Sequence, residues 1–581
     1  MKQHYLRLTI VLTFIISSAT LYPQTAPLPK GLTPYEAELL PSFTFRSEQL
    51  TAPPSAPVRT AAEWEEVEYL VVTWDPNYQN ILRQIVQAGV NECKVIITTQ
   101  NEASVQSYLT SNGVSLTNVI FMDAQWNSIW TRDYSGNTVY ANDVGERALV
   151  DWIYNRPRPY DNVMPSAHAS QTGIPIFITD SGTNDLVNTG GNFMSDGLGT
   201  AFASELILEE NAAGNPYNVT PKTEAQIDAI MQSYMGIDRY IKMPTLPYDG
   251  IHHIDMHMKL LDEETLLVSR YPPGIADGPQ IEANIDHVLA NHMSAFGTPY
   301  HVRWIDAPPS ASGSYPDTGG YYRTYSNMTI VNKSILVPTY RPEVDTPALD
   351  YLQEIMPGYT IVGIDVDNAG ETLIASSGAI HCITHTIGVN DPLLIVHQQV
   401  RTANAGTSVN INALIKHNSG ISSAKIFWRP AGATSFNETA MTSMGTDNWT
   451  APLWIDNSGS DMEYYIWAQA NSGKSLARPL VAPDGFWTID TQQLSVTEWA
   501  TSNISAPYPN PAIETVNFKL NQIVGPVNVT ITNLLGQKLF ENTLENGNGT
   551  VSFGLNFDWK GPLLVTFKGP FGIVTRKIIK L

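Results

Sequence analysis

Between Trp64 and Val389 short runs of β-branched residues alternate with stretches of helical period, and no other property of the chain restricts its fold as much. Tyr69-Leu70-Val71-Val72-Thr73-Trp74 has strand composition. Asn80 to Ala88 repeats its apolar residues at helical spacing, and Lys94-Val95-Ile96-Ile97-Thr98-Thr99 is a second strand. The same texture returns at Asn118 to Met122, Tyr240 to Met243, Ile335 to Pro338 and Tyr359 to Ile364. Strand and helix in alternation predict one large α/β domain over residues 63–390.

After Asp391 the helical period is lost. Val409 to Ile415, Ala424 to Trp428 and Met462 to Ala468 alternate with a period of two, separated by Gly, Asn and Ser turns. This predicts an immunoglobulin-like β-sandwich over 391–490, in architecture only, because the cysteines of that fold's inter-sheet disulfide are missing. A last strand-rich block, 501–581, contains Tyr508-Pro509-Asn510-Pro511, Val527 to Asn533 and the ending Lys577-Ile578-Ile579-Lys580-Leu581. It predicts a second small sandwich.

Residues 1–24 place Lys2 and Arg7 ahead of an apolar run from Leu8 to about Ile16, followed by Ser17, Ser18 and Ala19. This is the pattern of a secretory signal peptide, and the run is shorter than the roughly 20 residues that span a bilayer. No later stretch is long and apolar enough to span. Residues 25–62 are rich in Pro and polar side chains, as in Thr51-Ala52-Pro53-Pro54, and read as an exposed linker or propeptide. Asp plus Glu number 55 against 33 Lys plus Arg, a net charge of -22, which repels nucleic acid and anionic membranes and suits a cationic small substrate. Cys93 and Cys382 are the only cysteines, so the chain has at most one internal disulfide and no four-thiolate zinc site.

Three segments carry candidate chemistry. In Ile251 to Leu260 apolar residues hold every second place from Ile254, which predicts a strand with His253, Asp255 and His257 on one face, about 6.6 Å apart in succession. That face suits an acid/base imidazole beside a cation-binding carboxylate; it equally suits a zinc site or a plain solvated surface. Trp130-Thr131-Arg132-Asp133-Tyr134 follows a strand and is expected in a loop at its end, with Asp133 either a second functional carboxylate or an ion-pair partner of Arg132. Cys382 lies between His381 and His385, after the turn-prone Ser376-Ser377-Gly378, where a nearby cation lowers a thiol pKa. Cys93 leads into an apolar strand and reads as core, and a Cys93 to Cys382 disulfide is the inert alternative for both.

Taken together, the Trp-x-Arg-Asp segment ending at Asp133, the His-x-Asp segment of His253 and Asp255, and Ile380-His381-Cys382-Ile383-Thr384, spaced by about 120 residues each time, resemble the guanidine-modifying pentein enzymes. Within these the chain is most similar to the bacterial peptidylarginine deiminase and agmatine deiminase family. The resemblance implies a five-bladed propeller of ββαβ modules with a central site. It implies Cys382 as nucleophile, His253 as general acid/base, Asp133 and Asp255 as the carboxylates gripping a guanidinium, Asn327 as a hydrogen-bonding group and Trp130 as part of the substrate site. No metal and no organic cofactor are implied. Two carboxylates hold and orient a delocalised cation by paired hydrogen bonds, and a thiolate then displaces ammonia through a covalent intermediate.

Gly190-Gly191-Asn192 with Asp196-Gly197 matches the family's glycine-rich loop, although Thr189 stands where agmatine deiminases usually carry Glu. Arg156 and Arg158, two places apart in a proline-stiffened run, suit a clamp on a substrate carboxylate; ordinary surface arginines are the alternative. The expected substrate is therefore arginine in a peptide, C-terminal above all, converted to citrulline. An agmatine or free-arginine deiminase is the runner-up, a zinc hydrolase using His253 and His257 is a further rival, and a non-catalytic surface adhesin is the alternative from another class. Block 501–581 resembles the type A sorting domain of the Bacteroidetes type IX secretion system, which implies that export machinery as a partner.

Overall fold

A computed structural model describes residues 27–45, 51–179, 182–457, 459–492, 503–521, 523, 525–545, 549–569 and 572–581. The signal-peptide segment 1–24 and the stretch 493–502 lie outside the described residues. Contacts divide the chain into two compact units that meet in sequence between Leu394 and Ile395, a few residues past the change of texture at Asp391.

The first unit repeats one arrangement five times. Strands Asn137–Ala141 and Arg147–Tyr154 pair antiparallel, helix Met164–Thr172 crosses over, and strand Ile176–Thr179 returns parallel to the second. The same order recurs with Met194–Ser195, Thr200–Ser204, helix Glu224–Met235 and Arg239–Met243. It recurs with Met258–Asp262, Thr265–Arg270, helix Gly278–Asn291 and His301–Asp306. A fourth copy is Thr329–Val331, Ser334–Thr339, helix Pro342–Ile355 and Thr360–Asp365. The fifth takes its first strand, His385–Gly388, from the end of the unit and its remainder, Val67–Thr73, helix Gln79–Gly89 and Lys94–Thr98, from the beginning.

Local chemistry accounts for these pieces. Helix Gln79–Gly89 buries Ile81, Leu82, Ile85 and Val86, a single stripe at helical spacing. Helix Glu224–Met235 opens on a Thr223/Gln226 capping box and stops at Gly236, whose φ of 67° is costly for any residue with a Cβ. The middle strands Arg147–Tyr154 and Ser334–Thr339 are buried along their whole length, as strands with a parallel neighbour and a crossing helix are. The strands and helix expected at 69–74, 80–88, 94–99, 118–122, 240–243, 335–338 and 359–364 all form, to within a few residues.

Three expectations fail. Ile251 to Lys259 is not one strand: His252 takes φ 60°, Ile254–Met256 is a single 3-10 turn, and the strand begins only at Met258. Its alternation of apolar and polar residues is misleading because both sets, Ile254 and Met256 as well as His253, Asp255 and His257, are buried. Residues 131–134 are a turn of helix, Thr131–Tyr134, and not open loop. Residues 27–45 are not an exposed linker: helix Pro34–Leu39 carries a Thr33/Glu36 capping box, and Lys30, Leu40 and Phe45 are buried.

The elements described below for the second unit are all β-strands. One sheet orders Leu394–Val396, Thr407–Lys416, Asn448–Ile455 and Thr442–Gly445, and another orders Thr402–Asn404, Trp487–Gln492, Met462–Ala470, Ile421–Pro430 and Asn437–Ala440. Strand Met462–Ala470 alternates buried and half-buried residues along its length. The last block has a four-stranded sheet, Lys538–Leu544, Val527–Asn533, Gly561–Gly569 and Gly572–Lys580, and a paired Thr515–Leu520 and Gly549–Gly554. Its core of Val516, Phe518, Val529, Ile531, Phe553, Val565, Phe567 and Ile578 is built from the inward residues of these strands.

Candidate active site

Five connections of the first unit converge on one buried cluster. The helical turn Thr131–Tyr134 supplies Asp133, the 3-10 turn Gly190–Asn192 packs over it, the 3-10 turn Ile254–Met256 supplies Asp255 with His253 just ahead, the loop before Thr329–Val331 supplies Asn327, and the turn His381–Ile383 supplies Cys382. Gly191 marks the centre. A Cβ there would lie 2.5 Å from His253 Nδ1, 2.8 Å from Asp133 Oδ1 and 3.2 Å from Asp255 Oδ2, so only glycine leaves those three side chains room to meet. A Cβ on Gly190 would run into the carbonyl of Arg132. The two glycines are there for close backbone approach.

Asp133, His253, Asp255, Asn327 and Cys382 are brought together and are all buried. His253 Nδ1 lies 3.4 Å from Asp133 Oδ1, and its Nε2 lies 3.1 Å from the Thr189 hydroxyl. Asn327 Nδ2 donates to the carbonyl of Asp255 at 3.0 Å and reaches the Cys382 sulfur at 3.3 Å. Asp255 Oδ2 is 3.6 Å from that sulfur. Arg132 does not pair with Asp133; its Nε points to the carbonyl of His381. His257 is buried with its imidazole held neutral, its pKa pushed down to about 4 by burial. Among the described residues no group of three His, Cys, Asp or Glu side chains is arranged to hold a metal ion.

A cation already sits in this cluster, and it comes from the chain itself. Lys30 is fully buried, with Nζ 2.9 Å from Cys382 Sγ and 3.6 Å from Asp255 Oδ1. Burial opposes its charge, but Asp133, Asp255 and Cys382 outweigh burial and hold the ammonium charged. Burial would likewise raise Asp255 and Asp133. The Lys30 charge, aided by His381 at Asp255 and by His253 at Asp133, keeps both carboxyls below their usual range and ionised. His253 is pushed down by burial and then by Lys30, so its imidazole is a neutral acceptor.

The sulfur behaves differently from the expectation built on its flanking histidines. His381 and His385 are both pushed down, by burial first, and His385 bonds to the carbonyl of Gly136. Neither supplies positive charge to the thiol. Burial, with Asp255 beside it, pushes the Cys382 thiol up to about 12, and the Lys30 ammonium opposes that shift. Cys93 and Cys382 are both free, so the disulfide is not formed.

Sequence reasoning missed the support behind Asp255. His381 Nδ1 meets Asp255 Oδ2 at 2.8 Å, His381 Nε2 meets Glu63 Oε2 at 3.1 Å, and Glu63 also pairs with the buried Lys259. His381 was legible as the neighbour of Cys382. Glu63 and Lys30 lie far away in sequence with no motif around them.

Arg156 and Arg158 are buried, not surface arginines, and both hold main chain of the segment around Lys30. Arg156 Nε donates to the carbonyl of Lys30 at 3.0 Å; Arg158 Nη2 donates to those of Pro29 at 2.8 Å and Gly31 at 3.1 Å. Arg158 also makes a paired contact with Glu36, from Nε at 2.7 Å and Nη2 at 3.2 Å. Trp130 is fully buried and donates from Nε1 to the carbonyl of Leu28 at 3.0 Å. The absence of a side chain on Gly378 admits the Trp130 ring next to Cys382.

Residues 57–387 match the Porphyromonas-type peptidyl-arginine deiminase family, and residues 506–580 match the secretion system C-terminal sorting domain. An agmatine deiminase of Pseudomonas syringae is 26% identical over 299 residues, 47% of this chain and 77% of that relative. A candidate agmatine deiminase of Shewanella frigidimarina is 27% identical over 379 residues, 58% of this chain and 96% of the relative. Among solved structures, one described as a candidate agmatine deiminase has a TM-score of 0.50 at 20% identity, covering 59% of this chain and all of its own.

Proposed function

The chain belongs to the Porphyromonas-type peptidyl-arginine deiminase family, hydrolases of guanidino C–N bonds, and on that premise we propose that it converts peptide-borne arginine to citrulline and ammonia. The observation that carries the reading is a peptide-borne cation, Lys30, held against a thiol and the ionised Asp255, with the charge of Asp133 also acting on it. Counted along the side chain, Nζ of lysine stands where Cζ of arginine stands. An arginine in that place would bring its electrophilic carbon about 3 Å from Cys382 Sγ, a near-attack distance.

In this reading Asp133 and Asp255 grip the guanidinium by charged hydrogen bonds and fix its plane. The substrate cation takes over the stabilisation that Lys30 gives the sulfur, and the thiol proton passes through His253. Sγ bonds to Cζ, the tetrahedral adduct collapses with cleavage of one C–N bond, and ammonia leaves with the proton that His253 carries. Water, deprotonated by the same imidazole, then adds to the thiouronium carbon, the C–S bond breaks, and the ureido group is complete. Asn327 orients the sulfur. The five repeated sheets are read as the blades of a propeller around this site, and the sheets of 395–492 as an immunoglobulin-like sandwich.

Arg156 and Arg158 would hold the main chain of the substrate as they hold that of the segment 29–31. A free carboxylate on the reacting arginine would meet Arg156 where the Lys30 carbonyl does, and the charged contact is stronger than the neutral one by about 1 kcal/mol or more. In chain carrying Lys30→Ala, which empties the cation position, kcat/KM should fall in the order peptide with free C-terminal arginine, the same peptide amidated or with internal arginine, then agmatine. Arg156→Ala should erase most of the first difference. The agmatine deiminases among the relatives favour the second reading, and agmatine turned over as well as the free-ended peptide would establish it.

The sorting domain directs the protein through type IX secretion to the cell surface or beyond. Deleting Thr501 to Leu581 removes a block with its own core and should leave the purified enzyme's activity unchanged while the protein accumulates in the periplasm of its host. Normal arrival outside the cell would show that the block is not the address.

A further inference from the structure

Residues 27–45 lie in the site as a bound peptide would. Main chain enters past Trp130, which holds the carbonyl of Leu28. It is gripped by Arg158 and Arg156 at Pro29, Lys30 and Gly31, and the Lys30 amide donates to the carbonyl of Ser376 at 3.0 Å. Beyond Gly31 it is anchored at two further points. Glu36 pairs with Arg158, and Leu40 and Phe45 enter an apolar cluster with Ile153, Val187, Tyr217 and Val219. The Phe45 and Tyr217 rings meet edge to face, 5.3 Å between centroids.

Most of the groups that a peptidyl arginine would need are thus already engaged by this chain: the sulfur and Asp255 by the lysine head, Arg156 and Arg158 by carbonyls, Trp130 by Leu28. Lysine suits that place because it carries the cation without the carbon that a thiolate attacks. Nothing is transferred to it, and it stays.

We propose that the segment 27–45 is an intramolecular pseudosubstrate, with Lys30 filling the position of the substrate cation, and that the enzyme is latent until this segment is displaced or removed. The proposal rests on the deiminase reading for the identity of the displaced substrate, but not for the blocking of the site. A tethered segment competes at an effective concentration of the order of millimolar, well above that of a dilute peptide substrate, so latency does not require tight intrinsic binding. The rival role for Lys30 is that of a permanent part of the machinery, an ammonium that activates the thiol.

The test uses the full chain with Lys30→Ala and, to keep the apolar stem, Lys30→Met, each checked for a parent-like thermal transition. Labelling with chloroacetamidine, a cationic alkylating agent that brings its own positive charge to the sulfur Lys30 would vacate, followed by mass spectrometry gives the rates at Cys382 and, as an internal reference, at Cys93. Both variants should label Cys382 about tenfold faster than the parent or more, with Cys93 unchanged, and Lys30→Ala should form ureido product from peptidyl arginine at least about tenfold faster than the parent. Folded variants that label Cys382 no faster than the parent would overturn the proposal. So would a Lys30→Ala enzyme slower than its parent, which would place Lys30 in the machinery instead. Lys30→Arg distinguishes blocking from chemistry: in the same chain one terminal guanidino nitrogen of residue 30 should leave as ammonia and a water oxygen take its place on the carbon, so that residue 30 is recovered as citrulline by mass spectrometry. Faster labelling in Lys30→Ala, with no citrulline at residue 30 and no arginine substrate turned over, would retain the blocked site and remove the deiminase reading.

Discussion

Cys382→Ser, introduced beside Lys30→Ala, is expected to abolish ureido-product formation, whereas Cys93→Ser in the same background should leave the rate within about twofold. The guanidinium carbon is a poor electrophile, and a serine hydroxyl in this buried, carboxylate-rich place ionises far less readily than the thiol it replaces. Even the thiol is pushed up to about 12 by burial and by Asp255, so attack depends on a cation arriving at the sulfur. Cys93 has no such setting. It lies at the entry to strand Lys94–Thr98, and its thiol is pushed up to about 12 by burial, with the Glu92 carboxylate adding to the shift. Colorimetric citrulline detection decides the matter, and a covalent adduct trapped on the Cys382 peptide would identify the sulfur directly. Equal loss in both variants would mean that the thiols act through structure and not through attack.

The second large effect is expected at the groups around that sulfur. Asp133→Asn and Asp255→Asn each leave a guanidinium half-paired, and the loss of about 1.5–3 kcal/mol per charged hydrogen bond lowers kcat/KM by roughly 10- to 150-fold for each bond lost. Asp255→Asn should be the more damaging, because Asp255 also holds His381 and lies against the sulfur, whereas Asp133 faces His253 and Thr189. His253→Ala should fail in kcat at saturating substrate, since His253 is the imidazole placed beside Asp133 to carry the proton. Full activity in any one of the three would break the assignment of roles.

The alternation of strand and helix was legible because each repeated module obeys local rules: a stripe on Gln79–Gly89, a capping box ahead of Glu224–Met235, continuous apolar runs in the middle strands. Asp133, His253, Asp255 and Cys382 were legible because each lies in a short motif. Period-two reasoning failed at Ile254 to Met258, where burial of both residue sets removes the polar face that alternation normally marks. The N-terminal segment defeated composition for a related reason. Its prolines and polar residues describe a spacer, and the residues that pin it, Lys30, Glu36 and Phe45, find partners more than 100 positions away. Arg156 and Arg158 stand out in the sequence as a pair; that they grip main chain of the same molecule is a tertiary fact without a local signal.

The fifth module is assembled from both ends of the unit, with His385–Gly388 laid antiparallel on Val67–Thr73 across more than 300 intervening residues. The entropy of closing so long a loop is not repaid until the four modules between are in place, which makes this pairing a late event in folding. Cys382 sits three residues before the closing strand, and Lys30 hydrogen-bonds to main chain at Ser376 on the same approach. Nucleophile and blocking lysine therefore come together in a single step at the end of folding, and a chain still incomplete, or still crossing a membrane, holds no assembled site that could act on the wrong arginine.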